Sequence, residues 1–286
     1  MAFINPKIDF AFKRIFGSPE SESILISFLN AVLYDGEDTI KEVEILNPYL
    51  AGEVAKMKDT YLDIHARLAN ESYVIIEMQM VNVQAFLKRI LYNAAKRYVP
   101  ELEKGDPYTD LKPVIALTIA NFVLFQDTAA HKSHYHMTER DTLKLYPDND
   151  IQLIFIELPK FDKSLSESIH LEDKWLYFLR EADRLQEIPN VMATIAPIVR
   201  AFELADQATL SIEEKIALEK RERYVHEWDA GIQLALEKGI EQGHDNAMRK
   251  MTIHLLEMNL SDTAIVTMTE LSLDEVIAIR EAWEAK

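Results

Sequence analysis

Cysteine is absent from this chain of 286 residues. Disulfide bonds, thiolate nucleophiles and cysteine-ligated zinc or iron–sulfur sites are therefore excluded. The longest nearly continuous apolar run, residues 113–125, is interrupted by Thr118 and Asn121; it is too short to cross a bilayer and is typical of a buried strand. The first ten residues contain no apolar stretch that would act as a signal sequence, so we expect a cytoplasmic protein that does not enter the membrane.

Positive charge is also scarce, because the formal net charge is -17. Proteins that coat DNA without regard to sequence depend on many Lys and Arg side chains that neutralise phosphates, so this composition argues against such a surface. The acid is unevenly spread: residues 1–100 have a net charge of -2, and residues 101–286 a net charge of -15. We interpret the acidic excess as a solvated helical surface.

The order of apolar patterns predicts an α/β fold followed by helices. Asn5 and Pro6 indicate the start of a first helix, as an N-cap followed by proline at the first helical position. Beyond it, the sequence predicts helices at 22–33 and 84–103 and strands at 43–49, 61–68, 73–80, 114–125, 131–140 and 151–158.

The pattern becomes helical after Pro159, which predicts an α/β domain at 1–160 and an all-α region at 161–286. The boundary falls slightly later if the helix around Trp175 packs on the sheet. Near the C-terminus, helical patterns starting at Ser261 and Leu273 resemble a small helix-turn-helix. Because the second of them is mainly acidic, it suits protein contact better than a DNA major groove.

Small residues recur at every fourth position in one helical segment: Gly231, Ala235, Gly239, Gly243 and Ala247. This spacing forms a stripe along a helix that another backbone can approach closely. Three glycines weaken a helix by about 1 kcal/mol each relative to alanine. Two interpretations stay open: a contact between helices, most simply in a homo-oligomer, or a flexible linker helix.

Acidic residues on two neighbouring predicted strands are the candidate site. Asp63 belongs to the second strand, and Glu77 and Gln79 share one face of the third, because strand side chains alternate with period two. If the two strands pair antiparallel so that residue numbers add to 140, Asp63 lies opposite Glu77. Two carboxylates so close repel each other unless a proton or cation intervenes, so the arrangement either binds a hard metal or lowers the stability of the fold.

Asp63 followed by Glu77-Met78-Gln79 in an apolar strand resembles the D-x(n)-(D/E)-x-K signature of the PD-(D/E)XK nucleases. The closer resemblance is to their recombination-promoting nuclease and transposase branch, in which E-x-Q commonly replaces E-x-K. Matching context spans about residues 4–160 and comprises Asp9, Phe12-Lys13, Phe16-Gly17, Arg89, Tyr92, Gly105, Tyr108, Pro113-Val114-Ile115 and Glu157-Leu158-Pro159-Lys160.

The resemblance implies a restriction-endonuclease-like core and a Mg²⁺- or Mn²⁺-dependent DNA endonuclease linked to recombination or transposition. It implies Asp63 and Glu77 as metal ligands and Asp9 as an accessory acid. Gln79 departs from the motif lysine, since an amide carries no positive charge to stabilise the transition state. The lysines that could replace it are Lys13, Lys56 and Lys58. The alternative is a catalytically weak nuclease-fold protein that acts as an oligomeric protein- or DNA-binding module.

Structural interpretations compete with some of these assignments. Asp9 in a first helical turn with Lys13 four residues later is explained by helix stability alone. His131, His134 and His136 lack a further ligand, so we interpret them as a chance cluster rather than a zinc site. A packing role is expected for His65.

Overall fold

The computed structural model describes residues 2–50, 60–99, 102 and 105–285. Eight strands occur in these ranges, and six of them form the main sheet. In chain order the strands are β1 (Val43–Leu46), β2 (Tyr49–Leu50), β3 (Thr60–Tyr61), β4 (Ile64–Leu68), β5 (Tyr73–Gln79), β6 (Val114–Ala120), β7 (Lys132–Tyr135) and β8 (Ile151–Glu157).

The main sheet has the order β1-β4-β5-β6-β8-β7 and is mixed. β4 runs antiparallel to β1 and β5, the central strands β5, β6 and β8 are parallel, and β7 is antiparallel to β8. β2 and β3 form a separate two-stranded ribbon. A parallel pair requires a crossover connection, and between β5 and β6 the chain makes it through a helix. The predicted α/β fold with a helical C-terminal region is confirmed, and its sheet is mixed with flanking helices.

Nine α-helices occur in the described ranges, and the second has the bounds that the sequence predicts. They are α1 (Asp9–Phe16), α2 (Glu22–Leu33), α3 (Phe86–Tyr98), α4 (Leu171–Glu181), α5 (Asn190–Ala193), α6 (Ala196–Ala205), α7 (Ile212–Glu257), α8 (Asp262–Thr269) and α9 (Leu273–Glu284).

The predicted start of the first helix at Asn5 and Pro6 is wrong by one turn, because α1 begins at Asp9. The side-chain oxygen of Asn5 accepts a hydrogen bond from the backbone N–H of Lys7, and the backbone carbonyl of Asn5 accepts one from the N–H of Ile8. These two bonds form a turn before the helix. This turn buries the Lys7 side chain, whose Nζ donates to the carbonyl oxygen of Arg180 at 2.8 Å. Burial lowers the pKa of Lys7.

Two predicted strands end early for identifiable reasons. β6 stops at Ala120 because the backbone N–H groups of Leu124 and Phe125 donate to the buried carboxylate of Glu157 instead of to a sheet. The same carboxylate pairs with Lys160 Nζ at 2.7 Å, so this ion pair fixes the loop after β6. β7 ends at Tyr135, after which the chain turns back through an exposed hairpin.

Helices cover both faces of the sheet. Val74, Ile76 and Met78 of β5 face a core shared with α1, α2, α4 and α6. Tyr73 and Ile75, on the other face, pack against α3. Because β5 is buried on both sides, it reads as a continuous apolar run in the sequence. The alternation also directs the later odd-numbered residues of β5, Glu77 and Gln79, to the side of α3.

The helices α4, α5 and α6, which follow residue 160, belong to the same core as the sheet. Trp175 of α4 is fully buried, and its ring centroid lies 5.7 Å from that of Phe16 and 5.9 Å from that of Phe28. The first compact unit extends to Glu222, and the second comprises Arg223–Lys286. The change in composition near residue 160 therefore marks a change in secondary structure inside the first unit.

The second unit contains the two short helices expected near the C-terminus. Ser261 caps α8, and Ser272 forms a capping box with Glu275 at the start of α9. Leu256, Ile265 and Val276 form a small core between these helices and the end of α7. None of the described helices is both long and apolar enough to cross a membrane.

We predict that the sheet depends on α6 for stability. Replacing the fully buried Ile198 by alanine should lower the free energy of unfolding by about 2–5 kcal/mol, as for other large-to-small changes in a core. The exposed Ile169 provides a matched control, since its change to alanine should stay within about 0.5 kcal/mol. Urea unfolding followed by circular dichroism measures both. An Ile198→Ala protein with the parent's stability would mean that the sheet folds independently of α6.

Candidate active site

The register of β4 and β5 brings the two predicted acids to one region. Ile64 pairs with Ile76 and His65 with Ile75, so the paired residue numbers add to 140, which is the condition under which Asp63 and Glu77 are expected to lie close together. The expected position of Asp63 within a strand at 61–68 is wrong: this segment divides into β3 and β4, and Asp63 lies in the bend immediately before β4. Its Oδ2 accepts the backbone N–H of Met78 at 2.8 Å, which fixes the carboxylate beside Glu77.

Glu77 is a buried acid with weak hydrogen bonds. Its side chain lies between the sheet and α3, where the amides of Asn93 and Gln79 each donate to one of its oxygens at 3.4 Å. Burial, reinforced by the charge of Asp63, raises the pKa of Glu77 to about 8. The neighbouring groups stabilise the ionised form of Glu77 only weakly, so a cation beside this carboxylate would be strongly favourable.

Asp63 is the second perturbed acid. Burial is the main reason why its pKa rises to about 6, and a hydrogen bond to Asp9 acts in the same direction. The charge of Lys13 and the N–H of Met78 act in the opposite direction but do not cancel the effect of burial. Three acidic side chains, from α1, the bend before β4 and β5, therefore interact in this region.

Lys13 bridges two of the acids. Its Nζ lies 2.6 Å from Asp9 Oδ1 and 3.2 Å from Asp63 Oδ1. Burial alone would lower the pKa of Lys13, but the two carboxylates raise it, so the side chain stays an ammonium ion. The pKa of Asp9 is lowered. Burial alone would raise this pKa, but the hydrogen bonds to Asp63 and Lys13 lower it by more. The ion pair between Asp9 and Lys13 is explained by helix stability, but Lys13 also contacts Asp63 and so belongs to the site.

Asn93 and Arg221 contact the site and were missed by the sequence reasoning. Asn93 lies seven residues after Phe86 on the buried face of α3, and a polar amide within that apolar stripe is a detectable signal. Arg221 of α7 lies 3.5 Å from Asp9 Oδ2. Nothing local marks Arg221, because its partner is more than 200 positions away in the chain.

The remaining candidates lie elsewhere or outside the described residues. Lys56 and Lys58 fall outside the described ranges. The rings of His134 and His136 contact each other with centroids 3.9 Å apart and a tilt of 40°, and His131 packs edge-on against Phe161. His65 is buried, and its Nδ1 lies 3.0 Å from the carbonyl oxygen of Asn47.

The donor set at Asp63 and Glu77 fits a small hard cation. Among the described residues, no group of three or more His, Asp or Glu side chains is arranged to hold a metal. Mg²⁺, however, is usually bound through one or two carboxylates and keeps several waters, so a pair suffices. The observation that favours such an ion is that the largely buried Asp63 lies beside the buried Glu77 and that each has a pKa above its ordinary value.

A mixed sheet with flanking helices, an acid before one strand and E-x-Q at the end of the next is consistent with a nuclease-type α/β fold. A family model described as PD-(D/E)XK nuclease family transposase matches residues 6–235. The chain belongs to this family. A search of curated proteins and a search of solved structures each found no significant match.

We predict that the acid pair lowers the stability of the metal-free fold as the pH rises from about 5 to about 8. A carboxyl group whose pKa is raised by folding contributes most below its unfolded pKa, and the contribution is lost as the pH rises through the folded pKa. In chelator, the parent should therefore lose stability from about pH 5 to about pH 8 relative to Glu77→Gln.

Thermal unfolding measures this difference, with a change of about 2–4 °C for each kcal/mol in a chain of this size. Glu187→Gln, at an exposed position, is the matched control and should behave like the parent. If Glu77→Gln also behaves like the parent at every pH, the carboxylate of Glu77 is not under electrostatic strain.

Proposed function

We propose that this chain is a divalent-metal-dependent DNA endonuclease that hydrolyses phosphodiester bonds in the cytoplasm during recombination or transposition. Membership of the PD-(D/E)XK nuclease family transposases supports a nuclease-type function. The observation that carries the specific proposal is the pair formed by the largely buried Asp63 and the buried Glu77, with Lys13 bound to Asp63.

Asp63 and Glu77 are the residues that would hold Mg²⁺ or Mn²⁺. When bound, such an ion activates water and neutralises the charge that builds up on the phosphate. The chain itself keeps the two carboxylates in place: the N–H of Met78 holds Asp63, and the amide of Asn93 holds Glu77. Burial of Glu77 excludes bulk water from one side of the pair and strengthens its electrostatic interactions.

Lys13 supplies the positive charge that Gln79 lacks. Its ammonium group lies 3.2 Å from Asp63 and also influences Glu77. A cation in this position would stabilise negative charge on a phosphate placed against the acid pair. Gln79 then does not have to supply a positive charge. Its amide donates to Glu77 at 3.4 Å and orients both Glu77 and an incoming water or phosphate oxygen.

The second candidate function is a catalytically weak nuclease-fold protein that acts as an oligomeric binding module. Gln79 favours it, because an amide cannot replace the charge of the motif lysine. The net charge of -17 agrees with a binding role towards proteins rather than DNA. Under either function we propose a homo-oligomer formed through the C-terminal helices.

The nuclease proposal predicts that the protein nicks supercoiled DNA in Mg²⁺ or Mn²⁺ and not in chelator. Asp63→Asn should lower the rate at least about hundredfold, since it removes one charged group from the site. Glu44→Gln, on the exposed edge strand β1, is the control and should cut like the parent. Mn²⁺ should also raise the melting temperature of the parent and not that of Asp63→Asn. Equal nicking by the parent and Asp63→Asn would place the activity elsewhere.

The role of Lys13 is tested by moving its charge. Lys13→Met should lower the cleavage rate about hundredfold, and Gln79→Lys in the same chain should restore part of it by returning a cation to the motif position. Lys41→Met, at an exposed site, controls for the loss of one positive charge. A double variant that folds and binds Mn²⁺ but stays as slow as Lys13→Met would show that Lys13 only supports the structure.

A further inference from the structure

One face of α7 in the second unit carries large apolar side chains that water reaches. Tyr224, Trp228 and Ile232 occur at every fourth position and are 53%, 39% and 46% exposed. Tyr224 and Trp228 lie side by side, with ring centroids 6.2 Å apart. An aromatic stripe of this kind on a long helix is unfavourable in water unless another surface covers it.

Small residues continue the same face towards the C-terminus. At about 100° per residue, Gly231, Ala235 and Gly239 point within about 60° of Trp228. A Cβ atom added to Gly231 or Gly239 would meet nothing within 4 Å, so the packing of this chain does not require glycine there. Glycine nevertheless weakens a helix relative to alanine, and the close approach of a second backbone would offset that loss.

Large and small residues are complementary when the segment is paired with itself in the opposite direction. Positions whose numbers add to 463 then face each other: Tyr224 meets Gly239, Trp228 meets Ala235 and Ile232 meets Gly231. Each large side chain enters a gap left by a small one, which allows the two helices to approach closely. A parallel pairing in register would instead place Trp228 against Trp228 and Gly239 against Gly239, which combines a clash with a void.

The charges at the edge of this face favour the same direction. Glu227 and Lys238 lie on one edge, within about 20° of each other around the helix. In an antiparallel two-fold pair, equal edges meet, so Glu227 of each copy lies near Lys238 of the other. In a parallel pair these two residues would be separated by about three helical turns.

We propose that residues 224–239 of α7 form an interface with the same segment of a second copy of this chain, antiparallel about a two-fold axis between residues 231 and 232. Size and charge complementarity both indicate this one register. The interface is independent of the proposed catalysis, so Asp63→Asn should associate as the parent does.

Changes in size test the register. Sedimentation velocity of the full chain from about 1 to about 100 μM should show a dimer, and Ala235→Trp should weaken it about tenfold or more by opposing Trp228 of the second copy. Adding Trp228→Ala to that variant exchanges large for small and should restore the dimer. Leu234→Trp is the control, because position 234 points about 100° away from Ala235, and this variant should dimerise like the parent.

Changes in charge test the direction. Glu227→Lys alone and Lys238→Glu alone should each dimerise several-fold more weakly, whereas an equal mixture of the two should form mainly heterodimers, since both edge pairs are then opposite in charge. A tagged copy of one variant measures the heterodimer fraction. A monomeric parent, an Ala235→Trp protein that dimerises like the parent, failure of the exchanged double variant to recover, or random mixing of the charge variants would each overturn the proposal.

Discussion

The antiparallel register of β4 and β5 is the constraint on which the fold and the acidic site both depend. Because strand side chains alternate, a slip of one residue would turn Val74, Ile76 and Met78 away from their core. The same slip would remove Glu77 from the side of α3 and separate the N–H of Met78 from Asp63. The apolar residues that hold the register therefore also determine where the carboxylates lie. The geometry of the acid pair and the packing of the core are encoded by one alternating pattern.

The site is costly for the fold in a defined way. Two acids are kept in surroundings that oppose their ionisation, and this is visible in the raised pKa of both Asp63 and Glu77. A structural ion pair elsewhere in the chain behaves differently: Glu157 is fully buried, but Lys160 and two backbone N–H groups satisfy it. The contrast separates a carboxylate that fixes a loop from two carboxylates whose surroundings oppose their ionisation.

The sequence predicts those parts of the structure that local patterns determine. Apolar periodicity determines the bounds of α2, and serine caps determine where α8 and α9 begin. The short connection between β4 and β5 determines their register. The predicted start of α1 is wrong because Asn5 also caps a turn, and the competition between turn and helix is decided by burial of Lys7 against residues far along the chain. The roles of Asp63, Glu77 and Gln79 stay predictions.

Contacts between distant segments explain what sequence patterns could not supply. Arg221 reaches Asp9, and Arg14 donates to the carbonyl oxygen of Leu204 at 3.1 Å. Such pairs leave no trace in spacing, since each residue alone is ordinary for a helical position near the surface. The packing of α4 and α6 on the core belongs to the same class, because an amphipathic helix does not reveal which surface it will cover.

The contacts of Lys7, Arg14 and Asp9 with residues 180, 204 and 221 also bear on how such a gene can be rearranged. A crossover that joined the first 160 codons to a foreign tail would sever all three contacts and expose the aromatic partners of Trp175. A crossover beyond codon 222 would leave the first unit complete and exchange only the distal helices. Inheritance of the segment that carries Asp63 and Glu77 therefore brings α4 and α6 with it, whereas the contacts of Lys7, Arg14 and Asp9 set no such requirement on the helices beyond residue 222.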